Sequence, residues 1–291
     1  MAERFFKYHG LGNDFVLLDR RESAVDIDAP KAIQLCDRHL GIGADGVLVL
    51  LPSSRARARM MVHNADGSIA EMCGNGIRCA AQYLAERVGP SGGKSRTSEM
   101  SALREGDAER VEIETGAGLL SCLIHRAGRP VPEVEVSMGA AHLVDPSLPS
   151  GKTGKPFVNQ VLAGFPGLRG TAVSVGNPHL VLFDSALDQA PALGPLLERH
   201  SAFPNRTNVE FARVEPDQVQ VLVWERGVGL TQACGTGACA VVAAGVHEGR
   251  LAPDRWHPVR LPGGSLHIRA TADLSSLEMR GPVSFVFEGE I

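Results

Sequence analysis

The sequence predicts an α+β protein that consists of two homologous halves. The chain has 291 residues, which is about twice the length of an average domain of roughly 150 residues. Short apolar stretches typical of strands alternate with a few helical patterns along the chain. Several short motifs of the first half return in the same order in the second half. Together, these three observations predict two similar domains.

The first half begins with a strand-like stretch, residues 5–19, which glycines interrupt. A helix is predicted over 30–40, because proline stands in its first turn, where a missing N–H group costs little. Two strands follow at 47–51 and 55–65. A glycine-rich turn then leads into a second helix over 77–88.

Residues 89–110 are small and polar, which predicts a flexible surface loop. Short strands resume at 111–115 and continue to about residue 145, and 146–156 is predicted to form another loop. A final strand at about 283–288 is expected to return to the first domain. The predicted domains are 1–134 plus 280–291, and 135–279.

An internal repeat is the main organisational feature of the chain. The matched pairs are MCGNG (72–76) with ACGTG (233–237), Arg38-His39 with Arg199-His200, Asn64 with Glu225, and GNDFVLLD (12–19) with GNPHLVLFD (176–184). The offset is 161 residues for the first three pairs and 164 for the last. Such a period is the length of a domain and not of a solenoid repeat. Equivalent sites of two such halves are expected to face one another across a pseudo-twofold axis.

Composition excludes several classes of protein. Hydrophobic residues make up 44% and charged residues 21% of the chain, which is typical of a globular protein. A net charge of −4 provides no basic excess for binding nucleic acid or an anionic membrane. The longest apolar runs are far shorter than the roughly 20 residues of a membrane-spanning helix. Because no secretory signal is visible at the start, we expect a cytoplasmic protein with reduced thiols.

Cys73 and Cys234 are the candidate catalytic residues, because each stands directly before Gly-x-Gly and an apolar helix. The positive end of a helix stabilises a thiolate and lowers the pKa of the thiol, and the free N–H groups there bind a carboxylate. If two such helix ends face each other, one thiolate can remove a proton beside the carboxylate. The other thiol can then return a proton to the opposite face. This scheme inverts a carbon centre without a metal or a cofactor.

The other four cysteines are interpreted as small buried hydrophobic residues: Cys36, Cys79, Cys122 and Cys239. Spacings of six and five residues within the two cysteine pairs do not fit a zinc site, and no CxxC motif occurs. The sequence at 41–46 matches G-x-G-x-x-G, but it follows a predicted helix and precedes a strand, which is the wrong order for a dinucleotide site.

At the motif level the chain resembles diaminopimelate epimerases. The motifs that carry the resemblance are HGLGNDF (9–15), NADGS (64–68), CGNG (73–76), GNPH (176–179), RTNVEF (206–211), ERGVG (225–229), ACGTGACA (233–240) and the closing FEGEI. They follow the order of that family over nearly the whole chain. The resemblance implies that each domain is a mixed β-sheet curled around a central helix. It also implies a PLP-independent enzyme that interconverts LL- and meso-2,6-diaminopimelate for lysine and peptidoglycan synthesis.

The resemblance further implies a role for each matched residue. Cys73 and Cys234 would be the acid–base pair. Donors to the carboxylate at the reacting carbon would be Gly74, Asn75, Gly235 and Thr236. Residues that grip the rest of the substrate would be Asn13, Asn64, Asn177, Asn208, Glu225 and Arg226. His179 would support the site. Arg226 suits a second carboxylate, and Glu225 and the asparagines suit ammonium groups, although Asn64 can equally be a turn-forming residue.

Two departures and two rival functions stay open at this point. Some family members carry glutamine where this chain has Gly46, and the loop at 89–110 is longer than usual. A proline or hydroxyproline racemase is the nearest rival, although Asn75 replaces the histidine that those enzymes tend to have. A non-catalytic, redox-sensing binding protein with a regulatory disulfide is the other rival. Whether the chain forms a homodimer is also left open.

Overall fold

A computed structural model of the chain describes residues 2–87, 108–126, 131–183 and 185–291. Its contacts divide the chain into two compact units, Met1–Val136 with Arg280–Ile291, and Ser137–Met279. The boundaries fall within two strands, β8 (Glu133–Gly139) and β17 (Leu277–Pro282).

Among the described residues, the first unit contains a mixed sheet and two helices. Its other strands are β1 (Arg4–Gly10), β2 (Asn13–Asp19), β3 (Gly46–Leu51), β4 (Ala58–Asn64), β5 (Ile69–Ala70), β6 (Glu109–Thr115), β7 (Gly118–His125) and β18 (Ser284–Glu290). Strands β2 and β3 are parallel, as are β4 and β6, while β1–β2, β3–β4 and β6–β7 are antiparallel pairs. The last strand, β18, runs antiparallel to the first strand, β1.

Helix α1 (Ala29–Cys36) connects the parallel strands β2 and β3. Asp28 caps its first turn by accepting a hydrogen bond from the Lys31 amide, and proline lies within that turn as predicted. The helix ends four residues before the predicted end at residue 40. The side chain of Asp37 accepts hydrogen bonds from the amides of His39 and Leu40, and this local turn competes with a further helical turn.

Helix α2 (Gly74–Arg87) is the central helix of the first unit. It packs against β1, β2, β3, β4, β6 and β7, and every residue from Gly74 to Ala85 is buried. A helix that is buried all round cannot have a polar solvent-facing stripe. Its interior nevertheless contains Arg78, which is fully buried and donates hydrogen bonds to the Gly74 carbonyl and the Asn75 side chain.

The second unit repeats this order of elements. Its other strands are β9 (Gln160–Val161), β10 (Arg169–Ser174), β11 (Pro178–Leu182), β12 (Asn208–Val214), β13 (Val219–Glu225), β14 (Gly229–Leu230), β15 (His257–Leu261) and β16 (Gly264–Ala270). Strands β11 and β12 are parallel, as are β13 and β15, while β10–β11, β12–β13 and β15–β16 are antiparallel. Helix α4 (Ala190–Glu198) lies between β11 and β12, as α1 lies between β2 and β3.

Helix α5 (Gly235–His247) is the central helix of the second unit. It packs against β10, β11, β12 and β16, and ten consecutive residues from Gly237 to Val246 are buried. Each unit is thus a mixed sheet around a buried helix, which confirms the predicted α+β fold.

Side chains of β2 and β3 alternate between two buried faces of the first unit's sheet. On the face that α1 covers, Val16 and Val47 pack with α1 residues in one apolar cluster.

One of the two predicted loops contains a helical turn, and most of the other lies outside the described residues. Within 146–156, residues Ser150–Thr153 form a single helical turn, α3. Of the predicted loop 89–110, residues 89–107 lie outside the described residues, while Glu109 and Arg110 already belong to β6. None of the helices in the described parts of the chain is long and apolar enough to cross a membrane.

Candidate active site

The structure places Cys73 directly before α2, as the sequence predicted. Its sulfur accepts a hydrogen bond from the Gly76 amide at 3.4 Å, and its carbonyl accepts one from the Ile77 amide at 2.9 Å. The side chain is half-buried. Cys73 therefore caps the first turn of α2 with its own sulfur and carbonyl oxygen.

Cys234 has the same arrangement at the start of α5. It is the N-cap residue, with extended backbone angles, and its sulfur accepts a hydrogen bond from the Gly237 amide at 3.4 Å. Its carbonyl accepts one from the Ala238 amide at 3.0 Å. The repeated Cys-Gly-x-Gly motif is thus a repeated structure, in which a thiol replaces the usual oxygen of a helix cap.

The predicted direction of the shift in the pKa of the Cys234 thiol is wrong. The sequence predicts a lowered pKa, but burial, followed by the charges of Glu225 and Glu210, raises the pKa of the Cys234 thiol well above its usual value. Hydrogen bonds from Thr236 and the Gly237 amide act in the opposite direction and do not compensate. In this environment Cys234 is a thiol and not a thiolate at neutral pH.

A cluster of polar residues lies at one edge of the first unit's sheet. Strands β2 and β3 begin at this edge and β4 ends there, because Phe15 pairs with Gly46 and Gly46 pairs with Asn64. The side chain of Asn75 donates a hydrogen bond to Asn13 at 3.0 Å, which ties the start of α2 to the same edge. We call Cys73, Gly74, Asn75, Asn13 and Asn64 the first cluster.

Two members of the first cluster are held by neighbouring polar groups. Asn13 donates a hydrogen bond to Asp45 at 2.8 Å, and Arg38 bridges Asp45 to Asp14. Asn64 is exposed and donates to Ser68 at 2.9 Å across the turn between β4 and β5. The turn-forming interpretation of Asn64 is therefore correct, and it does not conflict with a role in binding.

An equivalent cluster lies at the corresponding edge of the second unit's sheet. Asn177 stands just before β11, Asn208 begins β12 and Glu225 ends β13. The side chain of Asn177 donates to Thr236 in the first turn of α5 at 3.5 Å, which parallels the Asn13–Asn75 contact of the first unit. We call the following residues the second cluster: Cys234, Gly235, Thr236, Asn177, His179, Asn208, Glu225 and Arg226.

Hydrogen bonds fix the turn that carries Arg226. The side chain of Asn208 accepts a bond from the Arg226 amide at 2.9 Å and donates one to the Pro178 carbonyl at 3.0 Å. The guanidinium of Arg226 is exposed and donates to the Asn205 carbonyl at 3.1 Å. The side chain of Asn208 thus connects two backbone segments, while the charged end of Arg226 stays accessible to a ligand.

Glu225 combines burial with a strong hydrogen bond. Thr231 donates to its carboxylate at 2.6 Å. Burial raises the pKa of Glu225, and the hydrogen bond from Thr231 opposes that shift. A carboxylate in such a position is stabilised by a cationic ligand group, which fits an ammonium.

Sequence reasoning missed two acidic residues behind the second cluster. Glu210 in β12 lies 2.6 Å from the imidazole of His179, and both side chains are completely buried. Glu198 in α4 accepts hydrogen bonds from the Trp224 indole and from the Gly227 amide, and so braces the turn beside Arg226. The available signal was one acidic residue inside an otherwise apolar strand or helix, where a charge requires a partner.

The remaining cysteines behave as predicted. Cys36, Cys79, Cys122 and Cys239 are all buried, and all six cysteines of the chain are free thiols. Within the described ranges, no group of three or more histidine, cysteine or acidic side chains is arranged to hold a metal ion.

Solved structures of other proteins share this fold. A hydroxyproline epimerase from Agrobacterium vitis superposes with a TM-score of 0.67 and 18% identity, covering 100% of this chain and 91% of that one. A PhzF-family phenazine biosynthesis protein from Bacillus anthracis gives a TM-score of 0.69 at 16% identity, covering 100% and 99%. At these identities the likeness shows the fold alone, and that fold is the one shared by epimerases and PhzF-family proteins.

Sequence comparison identifies the family within this class. The sequence profile of diaminopimelate epimerase matches residues 5–144 and 171–286. The diaminopimelate epimerase of Desulforudis audaxviator is 48% identical over 291 residues, covering 98% of each chain, and that of Moorella thermoacetica is 43% identical with the same coverage. The chain belongs to the diaminopimelate epimerase family. The family predicted from the motifs is therefore confirmed.

Proposed function

We propose that this chain interconverts LL- and meso-2,6-diaminopimelate by inverting one α-carbon with Cys73 and Cys234 as the acid–base pair. The observation that carries the proposal is the repeated geometry of the two thiols. Each caps a buried central helix and accepts a hydrogen bond from the amide of the third residue after it. Membership of the family supplies the substrate class.

In the proposed reaction one thiolate removes the α-proton, and its S–H bond forms as the C–H bond breaks. The electron pair moves onto the carboxylate, where N–H groups of the helix starts would stabilise it. The opposite thiol then delivers its proton to the other face of the carbon and becomes the thiolate. The protonation states of the two sulfurs exchange with every turnover, so neither a metal nor a cofactor is required.

The environment of Cys234 supports its role as the acid in one half of this cycle. Burial and two nearby carboxylates raise the pKa of Cys234 and keep the sulfur protonated. Reversible proton transfer requires a general acid and a general base of the same residue type, one protonated and the other deprotonated, that both reach the reacting carbon. The proposal therefore requires both sulfurs to reach the same α-carbon, one on each face.

The polar residues of the two clusters would bind the substrate's charged groups. Diaminopimelate has two carboxylates and two ammonium groups. We propose that the reacting carboxylate binds to Gly74, Asn75, Gly235 and Thr236, and that the distal end binds to Asn13, Asn64, Asn177, Asn208, Glu225 and Arg226, with His179 in support. Arg226 can hold the distal carboxylate with its planar guanidinium, and Glu225 can receive an ammonium group. An unpaired buried polar group costs about 1–3 kcal/mol and an unpaired charge costs more, which is how the distal centre would be distinguished.

Deuterium exchange tests this function directly. The purified enzyme is incubated in D2O, with a reductant, with LL-diaminopimelate and in parallel with L-proline. We expect deuterium at the α-carbon of diaminopimelate, accompanied by formation of the meso isomer, and none in proline. Exchange with proline and none with diaminopimelate would show that the substrate assignment is wrong.

We also propose that the protein acts in the cytoplasm and forms a homodimer. Lysine and peptidoglycan precursors are made from diaminopimelate in the cytoplasm. Cysteines that form no disulfide also suit a reducing compartment. Support for the dimer comes from β18, where Phe285, Val286 and Phe287 are each exposed by about two fifths or more. Sedimentation velocity of the wild type and of Val286→Glu tests the dimer. A monomeric wild type would contradict it.

A further inference from the structure

Behind the second cluster lies a buried carboxylate that the proposed reaction does not use. Glu210 lies in β12, and its side chain is completely buried. Acidic side chains at that depth are almost always paired. Its Oε1 atom is 2.6 Å from Nδ1 of His179, which is also completely buried.

A chain of hydrogen bonds connects this pair to the catalytic candidate. The second imidazole nitrogen, Nε2 of His179, lies 2.9 Å from Oδ1 of Asn177. The amide nitrogen of Asn177 donates to Thr236 at 3.5 Å, and the Thr236 hydroxyl lies 3.5 Å from the Cys234 sulfur. Glu210 also lies beneath the first turn of α5, because a Cβ atom on Gly237 would be 2.9 Å from its Oε1.

The direction of the bond to Asn177 fixes which nitrogen of His179 carries a proton. Oδ1 of Asn177 can only accept, so Nε2 of His179 must donate to it. Glu210 contacts the other nitrogen, Nδ1, with its Oε1 atom. The imidazole is thus held at both nitrogens, and its Nε2–H group points at Asn177.

We propose that Glu210 is a positioning residue that holds the imidazole of His179 and thereby fixes the orientation of the Asn177 amide. This inference rests on the proposed function, because Asn177 is proposed to bind the substrate. With Nε2–H of His179 in place, Asn177 must point its oxygen at His179 and its NH2 group at Thr236. Without Glu210, Nδ1 loses its partner, the ring can turn away from Asn177, and the orientation of the amide is lost.

Glu210→Leu and Glu210→Gln test the proposal as a pair, because leucine cannot form a hydrogen bond to Nδ1, whereas glutamine keeps both the shape and a donor. We expect Glu210→Leu to lose about tenfold or more in kcat/KM, carried mainly by KM, because Asn177 would offer the wrong atom to the substrate, and Glu210→Gln to lose much less. The control is Glu112→Gln, an exposed residue of β6, which should leave both constants unchanged. A merely structural pair would lower the melting temperature of Glu210→Leu without changing KM, and this result would overturn the proposal.

Nitrogen-15 NMR of the histidine side chains provides a readout that does not depend on activity. The signal of His179 is assigned with His179→Gln. We expect a proton on Nε2 of His179 in the wild type and in Glu210→Gln. A bare Nε2 in the wild type would overturn the proposal, even if Glu210→Leu does not fold. An inactive wild type with a protonated Nε2 would instead refute the proposed function and leave this pairing intact.

Discussion

At the scale of single residues, close packing dictates glycine at two positions of the site. A Cβ atom on Gly46 would lie 2.7 Å from the His63 carbonyl and would also contact Phe15. The backbone of β3 therefore has no space for the glutamine that some family members carry there. A Cβ atom on Gly237 would lie 2.9 Å from the Glu210 carboxylate and 3.3 Å from the Cys234 sulfur.

Gly237→Ala should therefore damage catalysis more than stability. The added methyl group must displace the Glu210 carboxylate or the Cys234 sulfur, and a misplacement of about 1 Å can cost about a hundredfold in rate. We expect a loss of kcat/KM of that order, with a melting temperature only a few degrees lower. Unchanged kinetics would show that the position of the sulfur in the structure is not the one used in the reaction.

Single residues also show where sequence reasoning succeeds and where it fails. Cys73 and Cys234 could be found because their surroundings repeat along the chain. Glu210 and Arg78 were missed, because one charged residue in an apolar element indicates that a partner exists but not which residue it is. The predicted direction of the shift in the pKa of Cys234 was wrong because burial, and then the carboxylates of two other strands, raise that pKa.

At the scale of elements, the central helix α5 is made mainly of small residues, and sheet strands surround it. Helix α5 contains four alanines and three glycines within Gly235–His247, and Ala240 is completely buried. Elements of this kind could be located from apolar runs. Their ends depended on caps such as Asp37, whose side-chain hydrogen bonds stop α1 and which a helical pattern does not reveal.

Ala240→Leu should destabilise the second unit. Ala240 is completely buried among the strands packed on α5, so the larger side chain must displace them, and overpacking of a tight core costs about 1–3 kcal/mol. Gln34→Leu is the control, because it adds apolar volume on the exposed side of α1. Urea unfolding of the two variants measures the effect. Equal stability of both variants would show that α5 is not enclosed.

At the scale of the whole molecule, buried thiols should make the protein sensitive to alkali. Burial raises the pKa of Cys79 and of Cys122 to about 12. The unfolded chain releases these protons near pH 8.5, whereas the folded chain retains them. The unfolded state therefore binds fewer protons, and the free energy of unfolding falls as pH rises from about 8.5 towards 12.

Each of these two thiols should lower the free energy of unfolding by about 1.4 kcal/mol per pH unit in that range. Urea unfolding at about pH 7.5 and pH 9.5, with a reductant present, measures the slope. The Cys79→Ala/Cys122→Ala variant should be less stable at pH 7.5 but lose less stability on going to pH 9.5. The same slope in both proteins would contradict an origin of the alkali sensitivity in these two thiols.

The order of strands and helices in the whole molecule was the most predictable feature, because the motif repeat marks equivalent positions in both units. Parallel pairing of β2 with β3 and of β11 with β12 was not predictable, since no short motif encodes which strands lie side by side. The same pairing brings Asn13 and Asn64 to one sheet edge, and Asn177 and Glu225 to another.

The central claim is that Cys73 and Cys234 together invert one carbon centre. The most direct measurement is the rate at which Cys73→Ala and Cys234→Ala, each shown to be folded by circular dichroism, interconvert the LL and meso isomers of diaminopimelate. We expect both variants to lose at least about a thousandfold in kcat, because each lacks one of the two proton-transfer groups. Full activity in either variant would contradict the two-thiol mechanism.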